Sequence, residues 1–237
     1  MKSSTIILLL ATVLFIGALT AYNFSLKASY KTGKYKARFP DHTFTALENI
    51  SVLDIKSANL MFVRVEYGTE EGIWISNRQK DQLSVVQEDS LLSLDFKNEA
   101  SRQSSSYKYD QIVIVVNSLQ KLHAGNHVFA DKQFKNFGGE LEVFGLNEDK
   151  LELLLEGEME TRLGNSRLGT LKVSLGGENT SAALTMFKKN QIDTAYFSVK
   201  GQSSLQLSNA VIAVPHYQLS KDCSVQMSGA LLQQHSQ

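Results

Sequence analysis

Two histidines and a run of carboxylates are the residues of this chain best able to do chemistry. His123 and His127 lie four positions apart, with Gly125 between them. Their surroundings predict strand and turn, in which residues four apart share a face but lie about 13 Å from each other. No glutamate stands between them, so the zinc-protease pattern is absent. We therefore interpret both histidines as structural.

The acidic stretch of the chain lies between residues 140 and 160. It consists of Glu140, Glu142, Glu148, Asp149, Glu152, Glu156, Glu158 and Glu160. The last three alternate, which predicts that they share one face of an extended strand. Neighbouring carboxylates could bind Ca²⁺ or act as acid and base on a polysaccharide, but no calcium-loop spacing is present. We favour a solvent-facing ladder neutralised by cross-strand Arg162, Arg167 and Lys172.

The other patterns of catalysis are missing from the sequence. It contains no nucleophile elbow Gly-x-Ser-x-Gly, no Walker loop and no dinucleotide fingerprint. Cys223 is the only cysteine, which excludes an internal disulfide and a cysteine-based zinc site. We predict no enzyme, and we assign no catalytic, cofactor-binding or metal-binding residue. Lys plus Arg and Asp plus Glu number 24 each, and this balance argues against nucleic acid as a partner.

Three aromatic residues are candidates for contact with a sugar or a protein partner. Trp74 stands in the apolar run Ile73-Trp74-Ile75, which predicts packing at one end of the core. Tyr107 and Tyr109 flank the polar segment 97–110, which has no core-forming residue between 98 and 106 and is predicted to be a surface loop. The two tyrosines are therefore the better candidates for an exposed contact.

The elements that position these residues are predicted to be short β-strands. In the second half of the chain, strand-like runs end in glycine at Gly125, Gly145, Gly157, Gly176, Gly201 and Gly229. The spacing is uneven, from about 12 to 28 residues, and the longer intervals hold two strands. This pattern suits β-helix coils of about 20 to 25 residues, and a sandwich of short strands is the alternative. The fold class is therefore predicted to be all-β.

The first half of the chain also reads as strands. Segments 83–86 and 91–96 predict a hairpin, and the continuous apolar run 111–116 predicts a strand buried on both sides. No segment of the body has the periodicity of an amphipathic helix.

The N-terminus contains one apolar segment. Thr5 to Tyr22 carries no charge, and its 18 residues would make a helix of about 27 Å, close to the hydrocarbon thickness of a bilayer. We predict an uncleaved signal anchor over residues 1–22, in preference to a cleaved signal peptide, and a basic juxtamembrane linker over 23–42. The lysines of this linker favour a cytoplasmic location by the positive-inside rule, but the cysteine-poor, all-β body favours export. We expect an exported body, on the outer side of the cytoplasmic membrane.

Two stretches of the chain carry a likeness to a known family. The first runs from Tyr35-Lys36-Ala37-Arg38-Phe39 through segment 53–60 to Glu71-Gly72-Ile73-Trp74-Ile75, and the second is the glycine-ended strand series after Leu119. Together, behind one hydrophobic span, they resemble the "putative auto-transporter adhesin head GIN-domain" family of bacterial envelope proteins. The resemblance covers roughly residues 43–230. It implies a right-handed β-helical solenoid, a role in adhesion and no catalytic residues to assign.

These observations give one expectation for function and two alternatives. We expect a membrane-anchored, non-enzymatic envelope protein whose domain at 43–237 is a β-solenoid for adhesion, scaffolding, or binding of an envelope polysaccharide or protein. The first alternative is a polysaccharide lyase or hydrolase built on a β-helix. The second is a cell-surface signalling partner whose loop at 97–110 is read by another protein.

Overall fold

The structure, a computed structural model, describes residues 3–31, 38–98, 100–101, 110–129, 138–177, 180–187 and 189–229. The chain divides into two compact units, Met1–His42 and Thr43–Gln237. The first unit contains one α-helix, α1, which spans Ser3–Lys31 and so extends nine residues past the predicted apolar span. Within it, Thr5–Ser25 is long and apolar enough to cross a membrane, a test that a signal sequence also passes.

The second unit is built almost entirely of β-strands. In chain order they are β1 His42–Ala46, β2 Val52–Ile55, β3 Phe62–Tyr67, β4 Gly72–Ser76, β5 Leu83–Glu88, β6 Leu91–Phe96, β7 Gln111–Val116, β8 Lys121–Ala124, β9 Gly139–Phe144, β10 Asn147–Leu155, β11 Met159–Gly164, β12 Arg167–Leu175, β13 Ala183–Met186, β14 Gln191–Val199, β15 Ser204–Ser208, β16 Val211–Leu219 and β17 Ser224–Ser228. One turn of 3-10 helix, Ala58–Leu60, lies between β2 and β3. The all-β prediction is confirmed.

The strands form two large mixed sheets. The nine-stranded sheet has the order β1-β4-β7-β3-β9-β11-β13-β15-β17, and the eight-stranded sheet has the order β16-β14-β12-β10-β8-β2-β6-β5. The pairs β4–β7 and β5–β6 are antiparallel, and the second of these is the predicted hairpin. From β9 onward every described pair is parallel.

The parallel part of the fold has a regular register. From β9 the chain alternates between the two sheets and adds one strand to each in turn. In the eight-stranded sheet, Asn147, Arg167, Gln191 and Val211 stand side by side, so successive strands are offset by 20, 24 and 20 residues. The two sheets share one hydrophobic core, to which both contribute fully buried leucines, valines and isoleucines.

The corner that leads into the eight-stranded sheet is made by residues in the left-handed region. Gly145, Asn165, Asn209 and Gly229 have φ of +76°, +53°, +57° and +79°. Asparagine and glycine tolerate this conformation better than other residues, so they let the chain leave one sheet and enter the other. The next position turns inward and is buried, as in Leu146, Ser166, Asn190 and Ala210.

Asn190 satisfies the backbone at one of these corners. It is fully buried, its Oδ1 accepts a hydrogen bond from the Ser166 N–H at 3.0 Å, and its Nδ2 donates to the Leu163 carbonyl at 2.8 Å. Nδ2 also lies 2.9 Å from the carbonyl oxygen of Phe187. A buried backbone group without a partner is costly, so this side chain holds two successive corners together.

The eight-stranded sheet ends at β16, which contains Pro215. The Ser220 N–H donates to the Val199 carbonyl in β14. Because backbone direction alternates along a strand, the amide positions of residues 216 and 218 also face β14, and the nitrogen of Pro215 faces the free edge. Proline has no N–H to offer there, which is a common protection of edge strands.

Candidate functional site

The outward face of the eight-stranded sheet carries one continuous line of large polar and aromatic side chains. Register places Glu152, Lys172, Tyr196 and His216 next to each other on β10, β12, β14 and β16. The residues before and after them, such as Leu151 and Leu153, are buried in the core. Strand alternation therefore requires this line to point to the other side of the sheet.

Tyr196 and His216 form a stack at one end of this line. Their ring centroids are 4.7 Å apart and their planes differ by 12°. The separation equals the spacing of adjacent strands, so His216 covers the ring face of Tyr196 that points toward β16. The opposite ring face points across β12, and the Tyr196 residue remains 44% exposed.

Small hydroxyl and amide side chains flank the line on both sides. Thr170 and Thr194 lie two residues before it, and Ser174, Ser198 and Gln218 lie two residues after it. Together they line a surface depression of about 700 Å³. None of these five side chains makes a hydrogen bond to a described residue, so their donors and acceptors face solvent.

Charges along the same line alternate in sign. Register continues the line to Lys121 on β8, giving Lys121, Glu152 and Lys172 in succession. Opposite charges on adjacent strands attract and like charges are kept apart, so the face is close to neutral. We call the surface formed by residues 152, 170, 172, 174, 194, 196, 198, 216 and 218 the Tyr196 face.

The outward face of the nine-stranded sheet differs because its charges pair with one another. Arg162 forms ion pairs with Glu140, with Glu142 at 3.8 Å and with Glu160 at 3.0 Å. The hydrogen bond to Glu160 is the largest of the effects that raise the pKa of Arg162, so the guanidinium stays charged. Arg64 extends the network, with Glu142 at 3.6 Å. The predicted neutralisation of the acidic stretch by Arg162 is confirmed.

The other two predicted cross-strand cations have different partners. Arg167 donates to the Gln191 side-chain oxygen from Nε at 3.2 Å and from Nη2 at 3.1 Å. Lys172 is the register neighbour of Glu152 but forms no ion pair with a described residue. The acidic stretch is thus only partly neutralised, and the unneutralised part belongs to the Tyr196 face.

The prediction that Glu156, Glu158 and Glu160 share one strand face is wrong. β10 ends at Leu155 and β11 begins at Met159, and these strands belong to different sheets. The chain turns at Gly157, so the alternation in the sequence crosses a corner instead of following a strand.

His123 and His127 are separated in the structure as the sequence predicts. His123 lies on the outward face of β8, with Nδ1 2.8 Å from Asp54 Oδ1 and Nε2 3.3 Å from Glu156 Oε2. At His127 it is the backbone that is held, because both its N–H and its carbonyl bond to the Asn59 side chain. Among the described residues, no group of three or more His, Cys, Asp or Glu is placed to hold a metal ion.

The aromatic candidates from the sequence lie elsewhere. Trp74 packs against Phe44, with ring centroids 4.8 Å apart, and Tyr107 and Tyr109 lie outside the described residues. Tyr196 and His216 were not singled out by the sequence. The signal that could have found them is their position, 20 residues apart and equivalent in two successive repeats.

Comparison with known proteins adds a likeness of fold. No family model matches the chain, and no curated protein matches it. A solved structure of a "putative adhesin" from Bacteroides fragilis NCTC 9343 shares 12% identity and a TM-score of 0.48, covering 79% of this chain and 96% of that one. Another "putative adhesin", from Parabacteroides merdae ATCC 43184, shares 10% identity and a TM-score of 0.38, with 79% and 95% covered. A "putative lipid binding protein" from Parabacteroides distasonis ATCC 8503 shares 11% identity and a TM-score of 0.34, with 80% and 95% covered.

Proposed function

We propose that this chain is a non-enzymatic envelope protein that presents the Tyr196 face to a polymer or protein outside the cytoplasmic membrane. One observation carries the proposal: the hydroxyl, amide and charged groups of this face have no partners among the described residues, whereas the acidic groups beside Arg162 on the other sheet pair internally. Exposed groups around an aromatic stack suit recognition of a second molecule.

For the architecture we infer a right-handed β-helix, in agreement with the resemblance to the GIN-domain family. The regular offsets of 20 to 24 residues and the alternation between two sheets support it. Crossovers between parallel strands of one sheet are right-handed in nearly all proteins, which supports the hand. A sandwich that is closed by the antiparallel pairs of β4 to β7 remains the alternative description.

The location follows from the N-terminal unit. Thr5–Ser25 supports a single span, and we propose that it is an uncleaved anchor with the body exported. Protease treatment of intact spheroplasts, together with sequencing of the mature N-terminus, tests both points. Digestion of the body and an intact residue 1 are expected. A protected body would refute export, and a mature N-terminus near residue 21 would refute the anchor.

The binding role is tested with the full-length protein in detergent micelles and isolated envelope fractions. Wild-type protein is expected to co-sediment with one of the fractions, and Tyr196→Ala is expected to reduce this binding strongly. Tyr67→Ala is the matched control, since Tyr67 is a strand tyrosine of similar exposure, 50%, on the other sheet. Equal loss in both variants, or no loss in either, would refute the assignment of the face.

The enzymatic alternative needs two carboxylates in one groove. Glu140 and Glu160 are register neighbours on β9 and β11, and this is the pair that best meets the requirement. Arg162 bonds to both, and an adjacent cation favours the ionised form of a carboxyl group, which is unsuited to a general acid. Release of reducing ends from any polysaccharide by the purified protein, abolished by Glu160→Gln, would establish the enzyme and refute the binding role.

A further inference from the structure

We propose that the ligand of the Tyr196 face is a neutral oligosaccharide or polysaccharide, whose sugar ring stacks on the free face of Tyr196. This inference rests on the proposed function and narrows its partner to one chemical class. It depends on three properties of the face: an aromatic wall, two rows of hydroxyl and amide groups, and a charge close to zero.

The aromatic wall has the geometry that a sugar ring requires. One side of a pyranose ring presents C–H groups that pack on an aromatic face, while its hydroxyls point outward around the rim. His216 covers one side of Tyr196 and holds the ring parallel to itself at 4.7 Å, so the tyrosine is supported in one orientation. The other side is turned over β12, where the outward side chains Thr170 and Ser174 are short.

The two rows of polar groups provide partners for sugar hydroxyls. Thr170 and Thr194 lie on one side of the line, and Ser174, Ser198 and Gln218 lie on the other. A hydroxyl both donates and accepts, and the glutamine amide supplies two donors and one acceptor, so together they match groups that also do both. The rows cross β12, β14 and β16, and with β10 the face spans about 14 Å, which suits an extended chain.

The other classes of ligand fit this face less well. Lys121, Glu152 and Lys172 alternate in sign, so the face offers no basic patch for nucleic acid or anionic lipid. The apolar residues Val173 and Phe197 line the depression but are only 3% and 2% exposed, so they offer little surface for the apolar centre of a protein interface. Mixed hydroxyls around one exposed ring favour a glycan.

The experiment uses full-length protein in detergent micelles and affinity gel electrophoresis with laminarin, dextran, yeast mannan and soluble chitosan oligomers acetylated to chitin oligomers. At least one probe is expected to retard the wild-type protein. Tyr196→Ala is expected to weaken the dissociation constant for that probe about tenfold, while Tyr67→Ala changes it less than about twofold. Thr194→Val removes one hydroxyl at a position where the next strand carries Val214, and is expected to weaken binding by a smaller factor.

The outcomes separate this inference from the proposed function. Failure of all four probes to retard the wild-type protein, or unchanged retardation in Tyr196→Ala, would overturn the glycan assignment. Envelope fractions treated with proteinase K or with periodate then distinguish the two levels. Binding through the Tyr196 face that proteinase abolishes and periodate spares would leave the binding role and exclude the glycan, whereas loss only with periodate would support both.

Discussion

Replacement of Asn190 by alanine should reveal how much the buried corners contribute to stability. The side chain is fully buried, and it bonds to the Ser166 N–H and to the carbonyls of Leu163 and Phe187. Alanine fits the space, because Ala210 occupies the equivalent corner in the next repeat and is also fully buried. The substitution therefore removes hydrogen bonds without introducing a steric clash.

The magnitude follows from the groups that would lose their partner. Ser166 and Leu163 are 2% and 0% exposed, so water cannot replace the amide there. Each buried backbone group left without a partner costs about 1–3 kcal/mol, which gives about 2–6 kcal/mol for the two. Phe187 is 38% exposed, so its carbonyl can turn to water and adds little. We expect a loss of about 3 kcal/mol in the free energy of unfolding, within that range.

The measurement is a urea titration of the full-length protein in detergent micelles. Far-UV circular dichroism follows the whole β domain, and fluorescence follows Trp74, the only tryptophan, in β4. Coincident transitions would justify a two-state free energy. Asn147→Ala is the control, because Asn147 is exposed and bonds to no described residue, and it should change stability by less than about 0.5 kcal/mol. An Asn190→Ala variant as stable as this control would refute the reasoning.

Three further predictions concern stability and assembly. Burial raises the pKa of Tyr217, so the stability due to its neutral form is complete below the ordinary tyrosine value near 10 and is lost as the pH rises through the folded-state pKa; urea midpoints of wild type should fall more steeply from about pH 9 to 11 than those of Tyr217→Phe, and parallel curves would contradict this. Gly176→Ala should destabilise more than Gly138→Ala in the same titration, because both have positive φ but only the Gly176 Cβ would meet the Lys200 carbonyl, at 2.7 Å; equal losses would show that contact to be unimportant. Pro215→Val should shorten the lag of thioflavin-positive aggregation on gentle agitation, and an unchanged lag would argue against edge protection by this proline.

The part of the fold that the sequence predicts well is the set of strands, and the part that it predicts poorly is their repeat. Glycines mark two different corners of each repeat, so the intervals between them vary although the register offsets are nearly constant. At one corner Asn165 and Asn209 take the conformation that Gly145 and Gly229 take in other repeats. A search for glycine therefore misses alternate turns, since asparagine reaches the left-handed region by tolerance and is common elsewhere in the chain.

The candidate site depends on register, which explains why the sequence showed only some of its components. Alternation along β14 predicts that Tyr196 points outward, but it does not say which side chain of another strand stands beside it. The stack with His216 requires an offset of 20 residues between β14 and β16, one of two offsets that occur. The acidic stretch failed for a related reason: the corner at 156–158 has no proline and only one glycine, so its alternation resembles a continuous strand.

The proline at the free edge of β16 has a consequence for the size of the ligand surface. A parallel stack is a one-dimensional crystal, and any unblocked end is a template on which identical units can go on adding. Pro215 interrupts that template at the amide position that faces outward. The surface of this protein beside Tyr196 therefore stops at a definite last rung, and the longest ligand segment that one molecule can hold there is written into its own sequence.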